Sequence, residues 1–141
     1  MAELDRRDVI LILTSVSHPE HGPRLAGVDL SGLDLRGLNF HQADLRRANL
    51  SGCNLREADL GEARLDGANF RGAVLIEATL AAAQGLGADF SEADFGNARA
   101  AGCIFSASEF GKAKLVGADF TEARLAMADF SEANLARIRL D

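Results

Sequence analysis

Tryptophan and tyrosine are absent from this sequence of 141 residues, which holds only two prolines and two cysteines. Two cysteines cannot make the disulfide framework of a small secreted domain. Basic residues are also few, because 15 Lys and Arg stand against 21 Asp and Glu and leave a net charge of -6. This balance excludes the basic surface of a nucleic-acid-binding domain and the polybasic segment of a membrane anchor, so direct nucleic-acid binding is not expected.

Long hydrophobic runs are missing as well. The longest run near the start covers residues 9–13, with the sequence VILIL, whereas a membrane-spanning helix needs about 20 apolar residues. Acidic residues surround Arg6 and Arg7, which is not typical of the basic leader of a secretory signal. The sequence therefore predicts no membrane span and a cytoplasmic protein.

The apolar residues that are present recur with a period of five. From Leu25 to Leu140, every fifth residue is Leu or Phe except Gly85 and Ala100, over 24 consecutive positions without an insertion. We call these positions the centres. A small residue stands two residues before most centres, Asp or Asn is common between the two, and glycine recurs two residues after the centre. The pattern indicates one five-residue unit repeated in tandem.

A period of five excludes an amphipathic helix, because five steps of about 100° rotate each apolar position by about 140° and no apolar face forms. A short strand followed by a turn fits instead. The small residue and the centre then point inward and the residue between them points outward, while glycine supplies the positive φ that a type II turn requires at its third position. Since five residues cannot bury their own apolar pair, successive coils are expected to stack as a solenoid.

The tandem motif A(D/N)LXX resembles the pentapeptide-repeat family over residues 23 to 140, as in Ala43-Asp44-Leu45 and Ala118-Asp119-Phe120. The resemblance implies an all-β solenoid, a right-handed quadrilateral β-helix of about six coils with four repeats in each coil. Residues 1-22 are expected to form an N-terminal capping helix and linker. Residues 23-141 are expected to form the repeat domain.

Four repeats in a coil place residues twenty apart in one column of the interior. Gly85 then lies below Phe105 and Ala100 below Phe120, so each missing centre is followed one coil later by a large ring. We interpret this arrangement as volume compensation. It predicts that Ala100→Leu overpacks the interior against Phe120.

The two ends of the repeat differ. A helix is predicted from about residue 4 to 17, with Asp5 or a nearby acid at its positive end, because this segment is apolar and lacks Gly and Pro. Solenoids need covered ends, so this helix is the expected N-terminal lid. The last coil is expected to expose its core, which predicts a homodimer through the C-terminal end. The candidate residues at that end are Leu125, Phe130, Leu135, Ile138 and Leu140.

Apolar residues in outward positions indicate a surface for a protein partner. They form two groups on opposite faces, Val74, Ile76 and Val116 in one and Leu86 and Ile104 in the other. Two interpretations of Leu86 are open. Its side chain points outward, or a local bulge turns it inward to replace the centre missing at Gly85.

Motifs for catalysis and metal binding are lacking. His18 and His21 offer two ligands with no third or fourth nearby, so no zinc site is predicted, and no nucleophile elbow, phosphate loop or His-Glu-x-x-His motif occurs. Cys53 and Cys103 both occupy small inward positions, on faces too far apart for a disulfide, and are interpreted as buried thiols that replace alanine. The sequence predicts a non-enzyme without a cofactor or a metal.

Two functions fit these observations. The first is a rigid protein-protein interaction or scaffolding module whose partner the sequence does not identify. The alternative follows from the resemblance, because family members that confer quinolone resistance look like duplex DNA, dimerise through their C-terminal ends and bind DNA gyrase. Net acidity fits this alternative, whereas an arginine-rich face, which carries Arg24, Arg46, Arg47, Arg64 and Arg124, argues against it. A third hypothesis, an enzyme that uses His18 or His21, has no supporting motif.

Overall fold

The computed structural model describes residues 3–15 and 22–141, and helix α1 covers Arg6–Thr14. The helix begins later and ends earlier than predicted. Asp5 caps it, because its carboxylate accepts from the Asp8 N–H at 2.9 Å and its own N–H donates to the Asp8 carboxylate at 2.9 Å. This reciprocal pair satisfies amide groups that the first turn leaves open, as expected for an acid at the positive end. The predicted linker, with His18 and His21, lies outside the described residues.

Parallel β-bridges join residues twenty apart throughout the repeat, from Arg24↔Asp44 to Asp119↔Arg139. Each repeat contributes one bridging residue, so four repeats make one coil, as the resemblance implies. Within the described ranges these bridges stay isolated and none extends into a longer strand. The predicted short strand is thus a single residue, because two of the five residues in each repeat are used in the turn. The handedness and the number of coils remain predictions.

Centres and small residues fill the interior. Leu and Phe centres from Leu25 to Phe120 are at most 1% exposed, and Ala100 is fully buried at its centre position. In the described part of the chain, no buried side-chain nitrogen or oxygen lacks a hydrogen-bond partner. The core is therefore a column of apolar side chains with its few polar groups satisfied.

Helix α1 packs against the first coil. Val9 is fully buried and belongs to the same core cluster as the centres, while Leu4, Ile12 and Leu13 pack against that cluster. Arg6 adds hydrogen bonds to the backbone carbonyls of Asp34 and Arg36 at 2.8 and 3.0 Å. In the described residues, no helix is long and apolar enough to cross a membrane.

An aromatic stack runs through one column. The ring centroids of Phe70 and Phe90 lie 5.1 Å apart, those of Phe90 and Phe110 5.0 Å, and those of Phe110 and Phe130 4.7 Å. These residues are twenty apart, so the predicted column is confirmed. Interplanar angles of 24°, 21° and 9° show that the rings lie nearly parallel and benefit from stacking beyond their buried area.

The missing centre at Gly85 is filled from the next coil. A Cβ atom added to Gly85 would lie 2.9 Å from Cδ1 of Phe105, which confirms the predicted compensation. Ser108 supports the same place, because its hydroxyl donates to the Gly85 carbonyl at 2.6 Å and accepts from the Ala88 N–H at 3.1 Å. A buried hydroxyl thus occupies a position that alanine holds in most repeats, and it is fully hydrogen-bonded.

The corners of the coils all adopt positive φ at the second residue after the centre. This is true of glycines such as Gly87, as predicted, and also of fourteen other residues with φ between 54° and 61°. The centre carbonyl accepts the N–H three residues later, as in Ala43 N–H to Phe40 at 2.9 Å. A side chain at such a position is strained, so the repeat holds corners whose sequence does not favour their conformation.

Replacing one of these strained residues by glycine is expected to stabilise the protein. Ala82 has a φ of 57° and an exposed side chain, so Ala82→Gly should raise the free energy of unfolding by about 1 kcal/mol. Its neighbour Ala81 has no positive φ, and Ala81→Gly should lower that free energy by about 0.5–1 kcal/mol. Denaturant unfolding of both variants checks the expectation. Equal effects of the two substitutions would contradict it.

The outward Asp and Asn residues close each turn. In Asp89 and Asn69, for example, the side-chain Oδ1 accepts the backbone N–H two residues later, at 2.9 Å in both cases. That N–H has no partner in the ladder between coils, so the side chain supplies one. The preference for Asp or Asn beside the centre therefore reflects a turn requirement.

Candidate functional site

Leu86 points outward, with 59% of its surface exposed. The bulge interpretation is wrong, because the backbone at Gly85 keeps the regular ladder: its N–H donates to Ile104 at 2.7 Å and that of Gly87 donates to Ser106 at 3.1 Å. The Leu86 N–H donates to the Asp66 carboxylate in the neighbouring coil at 2.8 Å. Phe105 already fills the space at Gly85, so Leu86 has no interior site to occupy.

The other predicted apolar residues are partly exposed. Val74, Ile76 and Val116 are half-buried on one face, where a Cβ atom added to Gly96 would lie 3.7 Å from Cγ1 of Ile76. Ile104 is also half-buried and bridges to residues 84 and 124. The column positions keep the two groups on separate faces, so they do not form one surface.

Met127 was missed by the sequence analysis. It is 91% exposed and lies at a corner of the last coil. The corresponding corner positions in three successive coils are residues 86–87, 106–107 and 126–127, which read Leu-Gly, Ser-Ala and Ala-Met. We call these six residues the uncharged edge. Comparing corners twenty residues apart would have found it, because the same corner in earlier coils contains Arg46, Arg47 and Asp66.

Three acidic residues stand beside the uncharged edge. Asp89, Glu109 and Asp129 bridge to one another in successive coils, and we call them the acidic column. No ion pair links them to any residue that the structure describes. Asp89 and Asp129 accept the N–H groups of Ser91 and Ser131, at 2.9 and 2.8 Å. Hydrogen bonds from the Ser131 side chain and backbone lower the pKa of Asp129, so its carboxylate stays charged.

The arginine-rich face carries charges of both signs. Arg46 donates to both carboxylate oxygens of Asp44, at 2.8 and 2.7 Å, and these hydrogen bonds lower the pKa of Asp44 to about 2. A hollow of about 720 Å³ opens on this face, lined by Gly22, Arg24, Gln42, Asp44, Arg46, Glu62, Arg64 and Gln84. Because carboxylates line the hollow together with the arginines, it attracts an anion less strongly than the arginines alone would.

The last coil exposes part of its core. Leu135 and Leu140 are 40% and 54% exposed, while Leu125, Phe130 and Ile138 are half-buried and pack against the core cluster. The predicted exposure is therefore clear at Leu135 and Leu140 and partial at the other three residues.

His41 lies between two carboxylates. Its Nδ1 is 3.8 Å from Asp59 and its Nε2 is 3.8 Å from Glu62. Over residues 3–15 and 22–141, no group of three or more His, Cys, Asp and Glu has the arrangement of a metal site. His18 and His21 lie outside this part of the chain.

Both cysteines are buried and free. Burial raises the pKa of Cys53 to about 11 and that of Cys103 to about 12, and the Cys53 thiol donates to the Leu30 carbonyl at 2.9 Å. A buried thiol with a raised pKa is a poor nucleophile. The two residues behave as replacements for alanine, as interpreted from the sequence.

The cysteines are expected to make the fold sensitive to alkali. Above pH 9 the thiols ionise in the unfolded chain but stay protonated in the folded one, so stability that is present below pH 9 falls as pH rises, by about 1.4 kcal/mol per pH unit for each thiol. Denaturant unfolding between pH 8 and pH 11 measures the slope, which the absence of tyrosine leaves clear. The Cys53→Ala, Cys103→Ala double variant should lose most of it. An unchanged slope would contradict the assignment.

A family model and several solved structures are similar to this chain. The Pentapeptide repeats family model matches in eight copies, over residues 24–61, 53–84, 88–126 and 105–137. Solved structures include Rfr23 of Cyanothece 51142, with 25% identity over 84% of this chain and 87% of that chain and a TM-score of 0.41. A pentapeptide repeat protein from the Arabidopsis thaliana thylakoid lumen has 32% identity over 72% of this chain and 68% of that chain, with a TM-score of 0.42.

A trypsin-treated form of QnrB1, a plasmid-mediated fluoroquinolone resistance protein, has 24% identity over 82% of this chain and 59% of that chain, with a TM-score of 0.47. No curated protein matches. The family model covers most of the repeat, the same part of the chain in which bridges join residues twenty apart. This chain belongs to the pentapeptide-repeat family.

Proposed function

We propose that this chain is a non-enzymatic, rigid module for protein-protein interaction. The observation that carries the proposal is the division between a filled interior and an exterior with exposed apolar side chains. Centres from Leu25 to Phe120 are buried almost completely, yet Leu86 and Met127 are 59% and 91% exposed. Packing of the solenoid does not require these two side chains, so a partner surface is the physical reason that fits their exposure.

Rigidity supports the same proposal. Each coil is tied to its neighbours by backbone hydrogen bonds in every repeat, and the stacked rings leave the core no room to rearrange. A surface on such a scaffold is already ordered before a partner binds. Binding therefore loses little conformational entropy on this side of the interface.

Affinity capture from the source cells tests the proposal. The bait is the whole chain, compared with two variants. The first is the triple variant Val74→Ser, Ile76→Ser, Val116→Ser, and the second is the double variant Leu86→Ser, Met127→Ser. Leu11→Ser is the matched control, because Leu11 is 66% exposed on helix α1. We expect one face variant to lose a captured protein that the control and the wild type retain. Identical capture by all four proteins would overturn the proposal.

Self-association through the C-terminal end is a second proposal. It is supported by the exposure of Leu135 and Leu140 in the last coil. The first coil differs, because helix α1 packs against it. Sedimentation equilibrium is expected to show a dimer that Leu135→Glu, Leu140→Glu converts to a monomer. A wild-type monomer at high concentration would contradict this proposal.

Mimicry of DNA, with gyrase as the partner, is the alternative function. The net charge of -6 and the acidic column favour it, and the arginine-rich face weighs against it. A supercoiling assay separates the two functions. Inhibition of gyrase, or its protection from a quinolone, would favour mimicry, and no effect on gyrase would leave the interaction module.

We also propose that helix α1 caps the N-terminal end of the core. Val9→Ala should lower the free energy of unfolding by about 2 kcal/mol, because Val9 is fully buried in the core cluster and each lost methylene contributes about 0.8 kcal/mol before cavity effects. Leu11→Ala, on the exposed side of the helix, is expected to change it little. Chemical denaturation compares the two. Equal changes would mean that the helix does not seal the core.

A further inference from the structure

We infer that the uncharged edge and the acidic column together form a docking site for an amphipathic helix that carries Lys or Arg along one flank. The inference rests on the proposed function, because it names one surface of the interaction module and the chemistry of its partner.

The edge has apolar anchors at both ends. Leu86 is 59% exposed in one coil and Met127 91% exposed two coils later, and the residues between them are Gly87, Ser106, Ala107 and Ala126. The residues between the two anchors are small, so they leave both large side chains accessible to a partner. Leu and Met anchors are typical of surfaces that accept apolar side chains of a partner.

The backbone along this edge offers no extended strand for a partner strand to join. Gly87, Ala107 and Met127 are turn residues with φ of 63°, 57° and 61°, and the bridges on either side of them stay isolated. The N–H groups of Gly87 and Ala107 donate to Ser106 and Ala126 at 3.1 and 2.8 Å. Strand addition requires a row of open N–H and C=O groups on an extended edge. The partner is therefore expected to engage this edge with side chains, as a helix does, because the backbone groups of a helix pair with one another.

The spacing of the coils suits a helix laid along the edge. Bridged residues in adjacent coils are separated by about 4.8 Å, and one turn of an α-helix rises about 5.4 Å. Side chains one turn apart on the partner thus meet successive coils over the three coils that the edge covers. A longer contact would lose register gradually.

The acidic column indicates that the partner carries positive charge. Asp89, Glu109 and Asp129 lie next to the edge, on the face that follows it in the chain, and they form no ion pair within the described residues. Three stacked carboxylates repel one another, so cationic groups of a partner would relieve that repulsion. Lys or Arg at successive turns of the helix, beside its apolar stripe, meets this requirement. The same carboxylates disfavour nucleic acid and anionic lipid at this edge.

A designed peptide tests the inference directly. The probe is a fluorescein-labelled peptide of Leu and Lys only, patterned as an amphipathic helix of about four turns. Fluorescence anisotropy with the whole chain is expected to show saturable binding. The affinity for the peptide should fall roughly tenfold in the double variant Leu86→Ser, Met127→Ser. It should fall by a similar factor, and depend less on salt, in the triple variant Asp89→Asn, Glu109→Gln, Asp129→Asn.

Matched controls separate docking from general attraction to an acidic protein. The variant Glu57→Gln, Glu77→Gln, Glu122→Gln removes the same charge elsewhere, and Ile76→Ser, Val116→Ser removes apolar surface from another face. Both should bind the peptide like the wild type, and circular dichroism should show that every variant is folded. A peptide with the same composition but alternating Leu and Lys, which favours a strand, should bind more weakly.

Three outcomes would overturn the inference. They are the absence of saturable binding, equal loss of binding in the control variants, and unchanged binding in the Leu86, Met127 variant. None of them overturns the proposed function, which fails only if affinity capture is unaffected by every face variant. Capture that depends on Val74, Ile76 and Val116 while the peptide does not bind would place the interaction surface on the other face.

Discussion

Phe90→Ala is expected to lower the free energy of unfolding by about 3–5 kcal/mol. Phe90 is fully buried and lies at the middle of the aromatic cluster, with ring centroids of Phe70, Phe95, Phe105 and Phe110 at 5.1, 5.2, 4.8 and 5.0 Å. The neighbouring rings are held by backbone bridges on both sides and cannot move in to fill the cavity. The destabilisation therefore includes the cavity and the lost ring contacts in addition to the lost free energy of burying the ring.

Phe130→Ala is the matched control for this prediction. Phe130 belongs to the same column but is half-buried, and one ring contact, with Phe110 at 4.7 Å, stands against the four of Phe90. Its loss should destabilise the protein by less than half as much. Calorimetry and denaturant unfolding measure both variants. Similar losses at the two positions would mean that the core does not tighten toward the middle of the solenoid.

Gly85→Leu is expected to destabilise the protein by about 3 kcal/mol, although it restores the residue that most other repeats carry. A Cβ atom at this position would lie 2.9 and 3.0 Å from two carbon atoms of the Phe105 ring, and the rest of the leucine side chain needs the space that this ring fills. The ring cannot withdraw, because Phe90 lies 4.8 Å away on another side. A stabilised variant in thermal unfolding would contradict the assigned column.

The period of five predicted the register correctly because a shift of even one residue would expose the core. Shifting the chain by one residue would turn centres such as Phe90 and Phe110 outward, so their spacing in the sequence fixes which residues stack. The compensation at Gly85 followed from the same arithmetic. Leu86 could not be assigned from its neighbours alone, since the alternative depended on whether Phe105 fills the space at Gly85.

The exterior was less predictable because no core packing constrains it. Met127 interrupts no pattern of centres and small residues, and its exposure becomes visible only when its corner is compared with residues 86 and 107. The positive φ at Ala82 was hidden for a related reason. Glycine at some corners revealed the turn, but the stacked coils impose the same conformation where the local sequence does not favour it.

Helix α1 shows the limit of local signals. The apolar run favoured a longer helix, while the structure begins it after the Asp5 cap and ends it at Thr14. Asp5 and Asp8 are visible in the sequence as a pair three residues apart, which is the spacing of a reciprocal cap. The contacts of Arg6 with carbonyls of residues 34 and 36 depend on how the helix meets the first coil, which no local pattern contains.

A double-mutant cycle between residues 85 and 105 tests the central claim, that residues twenty apart meet in the interior. The measured quantity is the free energy of unfolding of Gly85→Leu, Phe105→Leu and the double variant. If the two side chains share one space, the smaller leucine at position 105 relieves the overpacking by the leucine at position 85. The double variant should then lose at least about 1 kcal/mol less unfolding free energy than the sum of the two single losses. Additive losses would contradict the register and the account built on it.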